Sequence, residues 1–214
     1  MYLALDKYLW FNKTKEVMMA GTILDLGGGE GLFETLFPEN SHQATILEVS
    51  ANHKARKTPY VVYGGKEIPF RSKSFDIGIA LQTLEHVPEQ SRKHLITEFD
   101  RVVRKQIILA FPIRRLHFEH IFRALFTLYS IAGMPRMKTF YDEHIRYGLP
   151  EPELITGYIG RASASAEYYF GRLSCLALLI QLIFPPLIPL SAFFAEVVEK
   201  VGDREPVFAL LCWK

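Results

Sequence analysis

Apolar positions in the first half of the chain fall into short runs whose period switches repeatedly between that of a strand and that of a helix. Ile23 to Leu26 is a short apolar run stopped by glycine, and Leu32, Phe33, Leu36 and Phe37 follow at helical spacing until Pro38. This predicts strand, loop and helix. Gln43 to Ser50, Thr58 to Gly65 and Ser74 to Gln82 read as three more strands, rich in β-branched and aromatic residues and bounded by turn formers. Glu89 to Val103 reads as a helix with Leu95, Phe99, Val102 and Val103 on one face, and Lys105 to Pro112 as a fifth strand. Strands that alternate with helices imply a parallel sheet covered on both faces. Ahead of the first strand, residues 1–21 carry Asp6, Lys7, Lys13, Lys15 and Glu16 and read as an amphipathic helix, without the continuous apolar core of a signal peptide.

Beyond Pro112 the pattern changes. Phe118 to Ile131 is a very apolar helical stretch, and Ser165 to Gly171 and Glu205 to Lys214 read as two further strands. Between them Leu173 to Ala195 runs for 23 residues without a charge, long enough for a membrane span. A single crossing is excluded if both flanking strands belong to one sheet, because the ends must return to the same side. Pro185 and Pro186 divide the stretch into two short helices, 173–184 and 187–200, the first only about 18 Å long. The expected organisation is one domain over 1–214, with a helical insertion at about 113–160 and an apolar helical hairpin at about 172–200. The hairpin can pack on its own sheet, on a second subunit or on a membrane. A second apolar insertion at 118–131 favours peripheral contact with the membrane through 173–195.

Composition narrows the classes. With 214 residues, 49% hydrophobic and 13% aromatic, the chain can bury one sizeable core. Lys and Arg total 25 against 23 for Asp and Glu, a net charge of +2, so nothing points to nucleic acid as a partner. Cys175 and Cys212 form no CxxC pattern, which leaves no case for a disulfide framework or a zinc site and fits a cytoplasmic protein. His117 and His120 flank Glu119, but an isolated HxxH lacks a third ligand at diagnostic spacing, so no metal is expected.

Chemistry concentrates after the first strand. Parallel sheets bind ligands beyond the carboxyl ends of their strands, and Gly27 to Gly31 stands there. A dinucleotide fingerprint fails, since its third glycine falls on Leu32. What remains is Asp25 ahead of Gly27, Gly29 and Gly31, with Glu48 ending strand two, where a carboxylate can accept from both hydroxyls of a ribose. Asp76, at the start of strand four, reads as a structural group bonding nearby backbone amides, and Phe70 and Phe75 as core.

Asp25 to Gly31, Glu48 and the stretch "GGKEIPFRSKSFDIGIALQTLEHVPE", Gly64 to Glu89, closely resemble class I S-adenosylmethionine-dependent methyltransferases of the small-molecule type. The resemblance covers Gly21 to about Pro112. It implies a Rossmann-like seven-stranded α/β sheet in the order 3-2-1-4-5-7-6 with strand seven antiparallel, and S-adenosylmethionine as cofactor. It implies that Asp25, Gly27, Gly28, Gly29 and Gly31 receive the amino-acid half of the cofactor, that Glu48 holds the ribose and that Val49 flanks the adenine. Gly65, Lys66 and Glu67 would lie along the adenine edge, and Gln82 would close the methionine side. In one departure, the aspartate that many relatives carry before the "PF" pair is missing, which leaves adenine recognition to backbone groups or to Glu67.

The acceptor end is less specific. His86, His117 and His144 fall near the carboxyl edge and are the candidate bases, with His86 opening the helix after strand four and His144 and Tyr147 in a polar patch that a substrate could meet. The sulfonium is already reactive, so alignment of nucleophile, methyl carbon and sulfur carries most of the work and no compact triad is required. The expected function is transfer of a methyl group to oxygen, nitrogen or carbon of a small-molecule or lipid-linked acceptor, in the cytoplasm or on the inner membrane face. The alternatives are a nicotinamide-dependent oxidoreductase, disfavoured by the missing glycine, and a non-catalytic cofactor-binding or membrane-scaffold protein.

Overall fold

A computed structural model of the chain describes residues 5–29, 31–51, 57–113, 142–161, 166–170, 176–177, 180–181, 183–201 and 208–214. Its frame is a single sheet of seven strands: β1 (Ile23–Leu26), β2 (Ala44–Glu48), β3 (Tyr60–Val62), β4 (Phe75–Leu81), β5 (Val103–Pro112), β6 (Ala166–Phe170) and β7 (Phe208–Trp213). They lie in the order β3-β2-β1-β4-β5-β7-β6. The first five are mutually parallel, while β7 runs antiparallel to both β5 and β6, matching Ile108 to Cys212 and Ala166 to Cys212. The expected strand order and the reversed strand are both found.

The central strands are buried on both faces, which is why they read as continuous apolar runs rather than as alternation. Along β5 the side chains divide by parity. Ile107, Leu109 and Phe111 pack with Leu95, Ile96 and Phe99 of α3 (Glu89–Val102) and with Ile155 of α4 (Pro152–Tyr158). Ile108 and Ala110 pack on the other face with Leu9 and Trp10 of α1 (Leu5–Val17), with Phe33 of α2 (Leu32–Leu36) and with Ala195 of α5 (Ser191–Val201). Gly78 in β4 lets α3 come close, since a Cβ there would stand 2.6 Å from the Phe99 ring. Fully burying a side chain of this size contributes about 1.5–3 kcal/mol, so the two apolar layers supply the bulk of the stabilisation.

Several boundaries differ from the sequence reading. The third strand is only Tyr60–Val62, because Gly64 and Gly65 turn the chain away at once. The fifth strand begins at Val103, so exposed Arg104 and Lys105 lie inside it and reach Asp76 at 2.7 and 3.0 Å. Leu84–His86 is a separate 3-10 turn ahead of α3, so His86 does not open that helix. Pro185–Leu190 also forms a 3-10 turn, and the following helix starts at Ser191 rather than at Leu187, because Pro185, Pro186 and Pro189 withhold backbone donors. The apolar stretch 118–131, with His117 just before it and His120 inside it, lies outside the described residues.

Candidate active site

Beyond the carboxyl end of β1 the chain turns through Gly27, Gly29 and Gly31, all at positive φ (71°, 56° and 95°). The three glycines at 27–29 are small for different reasons. A Cβ at Gly27 would collide with Thr83, and one at Gly28 with the Asp25 carboxyl and Ile46. At Gly29 no described atom lies within 4 Å of where a Cβ would stand, so open space borders the chain on that side. Gly27 N–H donates to the Leu47 carbonyl at 2.8 Å, which ties the loop to the end of β2.

That end of β2 delivers Glu48, paired across the sheet with Val62. Its carboxylate accepts from Gly29 N–H at 3.0 Å and from Val49 N–H at 2.7 Å. Two oxygens carry about four lone-pair sites, so both keep capacity for further donors. The Tyr60 hydroxyl lies 3.0 Å from the carbonyls of Gly29 and Ser50, and it pins the loop from the far side. No sequence motif marked Tyr60; its place at the head of β3 is the only signal that could have.

The electrostatics of this rim are one-sided. Asp25 is 5% exposed, and burial first, then the negative charge of Glu48, pushes its carboxyl up to about 7. The same burial and the same Glu48 raise the Tyr63 phenol to about 12, and Tyr60 is shifted upward for like reasons. The negative charge of Glu48 contributes to all three shifts, and it favours a positive ligand here.

The remaining candidates divide. Val49 is exposed and sits 3.5 Å from where a Cβ of Gly65 would stand, so these two border one surface. Lys66 and Glu67 are exposed on the following turn, with Glu67 in the field of Arg101 on α3. Gln82 leaves β4 at φ 54° and donates its N–H to the Ala110 carbonyl at 2.7 Å, a left-handed conformation uncommon for a side chain of this size. Its neighbour Thr83, which the sequence reading passed over, donates to the Leu26 carbonyl at 3.0 Å and packs against Gly27.

Past Thr83 a second group assembles. His86 Nδ1 stands 2.8 Å from Glu143 Oε2, and the rings of His86 and His144 lie 5.0 Å apart between centroids. Burial, then the neighbouring His86, pushes His144 down to about 4. Glu85 is 2% exposed, and one ligand atom each of Glu85, His86 and His144 lie within 4.8 Å of one another. Arg92, itself buried, donates from Nε to the carbonyls of Leu84 and Val87 and from Nη2 to those of Tyr147 and Gly148. It thereby holds the 84–87 turn against the 142–148 segment. His86 and His144 are therefore brought together, whereas His117 lies outside the described residues.

Known proteins carry the same architecture. Residues 24–111 match the family profile described as a methyltransferase domain. No curated protein sequence matches the chain significantly. A SAM-dependent methyltransferase from Thermotoga maritima superposes with a TM-score of 0.61 at 14% identity, covering 97% of this chain and 89% of that one. One from Archaeoglobus fulgidus gives 0.59 at 14% identity over 95% and 92%. The [4+2]-cyclase SpnF, at 0.59 and 12% identity over 97% and 79%, has the same fold, which alone therefore fixes no reaction. Over residues 24–111 the sequence is thus similar to methyltransferase domains, and the seven-stranded sheet with its reversed strand is the fold of the solved methyltransferases on which the chain superposes.

Proposed function

We propose that the protein transfers the methyl group of S-adenosylmethionine to a small-molecule acceptor. The observation that carries this is the Gly29 peptide, bordered by open space and bonded to Glu48, beside a second buried acid. S-adenosylmethionine brings a sulfonium and an ammonium, and the negative field of Asp25 and Glu48 suits both. Asp25 and the glycines from Gly27 to Gly31 would receive the amino-acid half, Glu48 the ribose, and Val49 with Gly65 to Glu67 the adenine. Gln82, ending β4 next to the glycine loop, would close the methionine side. His86 and His144 would then meet the acceptor, since three residues of chain from Thr83 to His86 span at most about 11 Å. Calorimetry with S-adenosylhomocysteine tests the cofactor half: binding is expected, and a folded protein that binds NADH instead would overturn the reading. Mass spectrometry of cell extracts incubated with methyl-labelled cofactor identifies the acceptor.

A finer reading concerns location. Ile183, Phe184, Leu190, Phe193 and Val197 are all exposed, Phe193 to 61%, in and around the proline turn and α5. Among the described residues no helix is long and apolar enough to cross a membrane. This patch supports peripheral attachment to a membrane surface and a lipid-linked acceptor. Wild-type protein should sediment with liposomes, and Ile183→Asp with Phe193→Asp should release it while S-adenosylhomocysteine binding persists. Wild-type protein that stays in the supernatant would end that reading.

A further inference from the structure

We propose that Glu85, His86 and His144 bind one divalent transition-metal ion at the acceptor end of the site. Two imidazoles and one carboxylate are a ligand set that suits zinc, iron(II) or manganese and leaves coordination positions open for a substrate. Their ligand atoms already lie within 4.8 Å of one another, against roughly 3.4 Å for atoms sharing an ion at about 2.1 Å, a gap that small side-chain rotations close.

Three further observations point to a ligand rather than to a packing accident. First, His86 Nδ1 lies 2.8 Å from Glu143 Oε2, the carboxylate–histidine pairing that orients a metal-binding imidazole. Second, His144 Nε2 is buried with no hydrogen-bond partner among the described residues, which is costly for a polar atom unless something binds it. Third, the ligands come from segments nearly sixty residues apart, and Arg92 spends its hydrogen bonds on carbonyls of both, from Leu84 and Val87 to Tyr147 and Gly148. A guanidinium in that place holds the geometry before any ion arrives.

The chemistry follows from the proposed methyl transfer, on which this inference rests, and it narrows the acceptor to one with a hydroxyl oxygen. An ion at the three ligands would hold that oxygen and lower its pKa. The hydroxyl proton leaves to solvent, the oxygen lone pair forms the bond to the methyl carbon, and the methyl–sulfur bond breaks with its electrons remaining on sulfur. The products are the methyl ether and S-adenosylhomocysteine.

The test uses the full chain, stripped with a chelator and titrated with cobalt(II), followed by visible absorption, and with zinc(II), followed by calorimetry. One ion per chain is expected. Glu85→Gln and His144→Ala should each weaken binding by about 100-fold or more, and Glu143→Gln by about 10- to 100-fold through loss of the partner on His86. If Glu85→Gln does not fold by circular dichroism, His144→Ala decides alone, since its segment lies at the rim. Folded wild-type protein that takes up no stoichiometric cobalt or zinc would overturn the site, as would unchanged uptake in His144→Ala. S-adenosylhomocysteine is titrated into the same samples: its failure to bind while cobalt binds would strike the methyl-transfer reading and leave the metal site standing.

Discussion

Two rims of one sheet treat their acids in opposite ways. At the amino rim Asp76 is fully matched: it accepts from Thr22 N–H at 3.1 Å and from Thr22 Oγ1, and pairs with Arg104 and Lys105. Those bonds, with Lys105 first among them, hold its carboxyl well below the ordinary range. At the carboxyl rim Asp25 is buried beside Glu48, a like charge, and its carboxyl rises to about 7. Both acids lie in central strands of the same fold. One rim is arranged for stability, while the other keeps an excess of negative charge where a cationic ligand is proposed to bind. Perturbed groups gathering at one end of a sheet are a physical pointer to function.

The comparison can be broken at either rim. The largest effect is expected from Gly29→Val. A β-branched residue resists φ 56° and fills the open space beside the peptide, so S-adenosylhomocysteine binding should fall below detection in calorimetry while the protein stays folded. Next comes Asp25→Asn, read by denaturation across pH. A carboxyl raised from 3.8 to about 7 in the folded state binds its proton more tightly there than in the unfolded chain. Its contribution is therefore complete below about pH 4 and lost as pH rises through 7. Asp25→Asn should match wild type near pH 4 and exceed it at pH 8, by at most about 4 kcal/mol. A variant less stable than wild type at pH 8 would reverse the interpretation of this rim.

Glu48→Ala follows, with a loss of about 1.5–3 kcal/mol in S-adenosylhomocysteine affinity, the range for a charged hydrogen-bond acceptor. Unchanged affinity in a folded variant would remove Glu48 from the ribose. The smallest effect belongs to Asp76→Asn, because Arg104 and Lys105 are about half exposed and their pairs are screened. Its sign is opposite to that of Asp25. The depressed carboxyl stabilises the fold above its unfolded pKa, so the variant should be destabilised at pH 7, start to converge on wild type below about pH 4 and meet it only as pH falls through the depressed folded pKa. Binding of S-adenosylhomocysteine should not change.

Local periodicity was enough to find the parallel core, because each central strand is covered on both faces and its apolar run shows in a single stretch of chain. The glycine loop and Glu48 were legible for the same reason: a strand end, a turn and an acid are features of near neighbours. The 3-10 turn at Leu84–His86 was read as the start of a helix, since Pro88 and the helical spacing after it say only where α3 begins. Tyr60 on Gly29, Thr83 against Gly27 and Arg92 across to Tyr147 were not legible at all. Each is a contact between segments far apart in sequence, and nothing in a residue's own neighbourhood records what the sheet will bring beside it.

The sequence by itself determined the alternating core and the glycines and acids at its strand ends, because these rest on period, turn chemistry and strand ends, which are properties of short stretches, whereas the reversed last strand was expected only from the family resemblance. Only the tertiary structure decided that His86 would meet His144 and Glu143, and that Asp25 and Glu48 would repel while Asp76 found two cations. Charge interactions depend on distance and burial in space, and those exist only once the strands have been laid side by side.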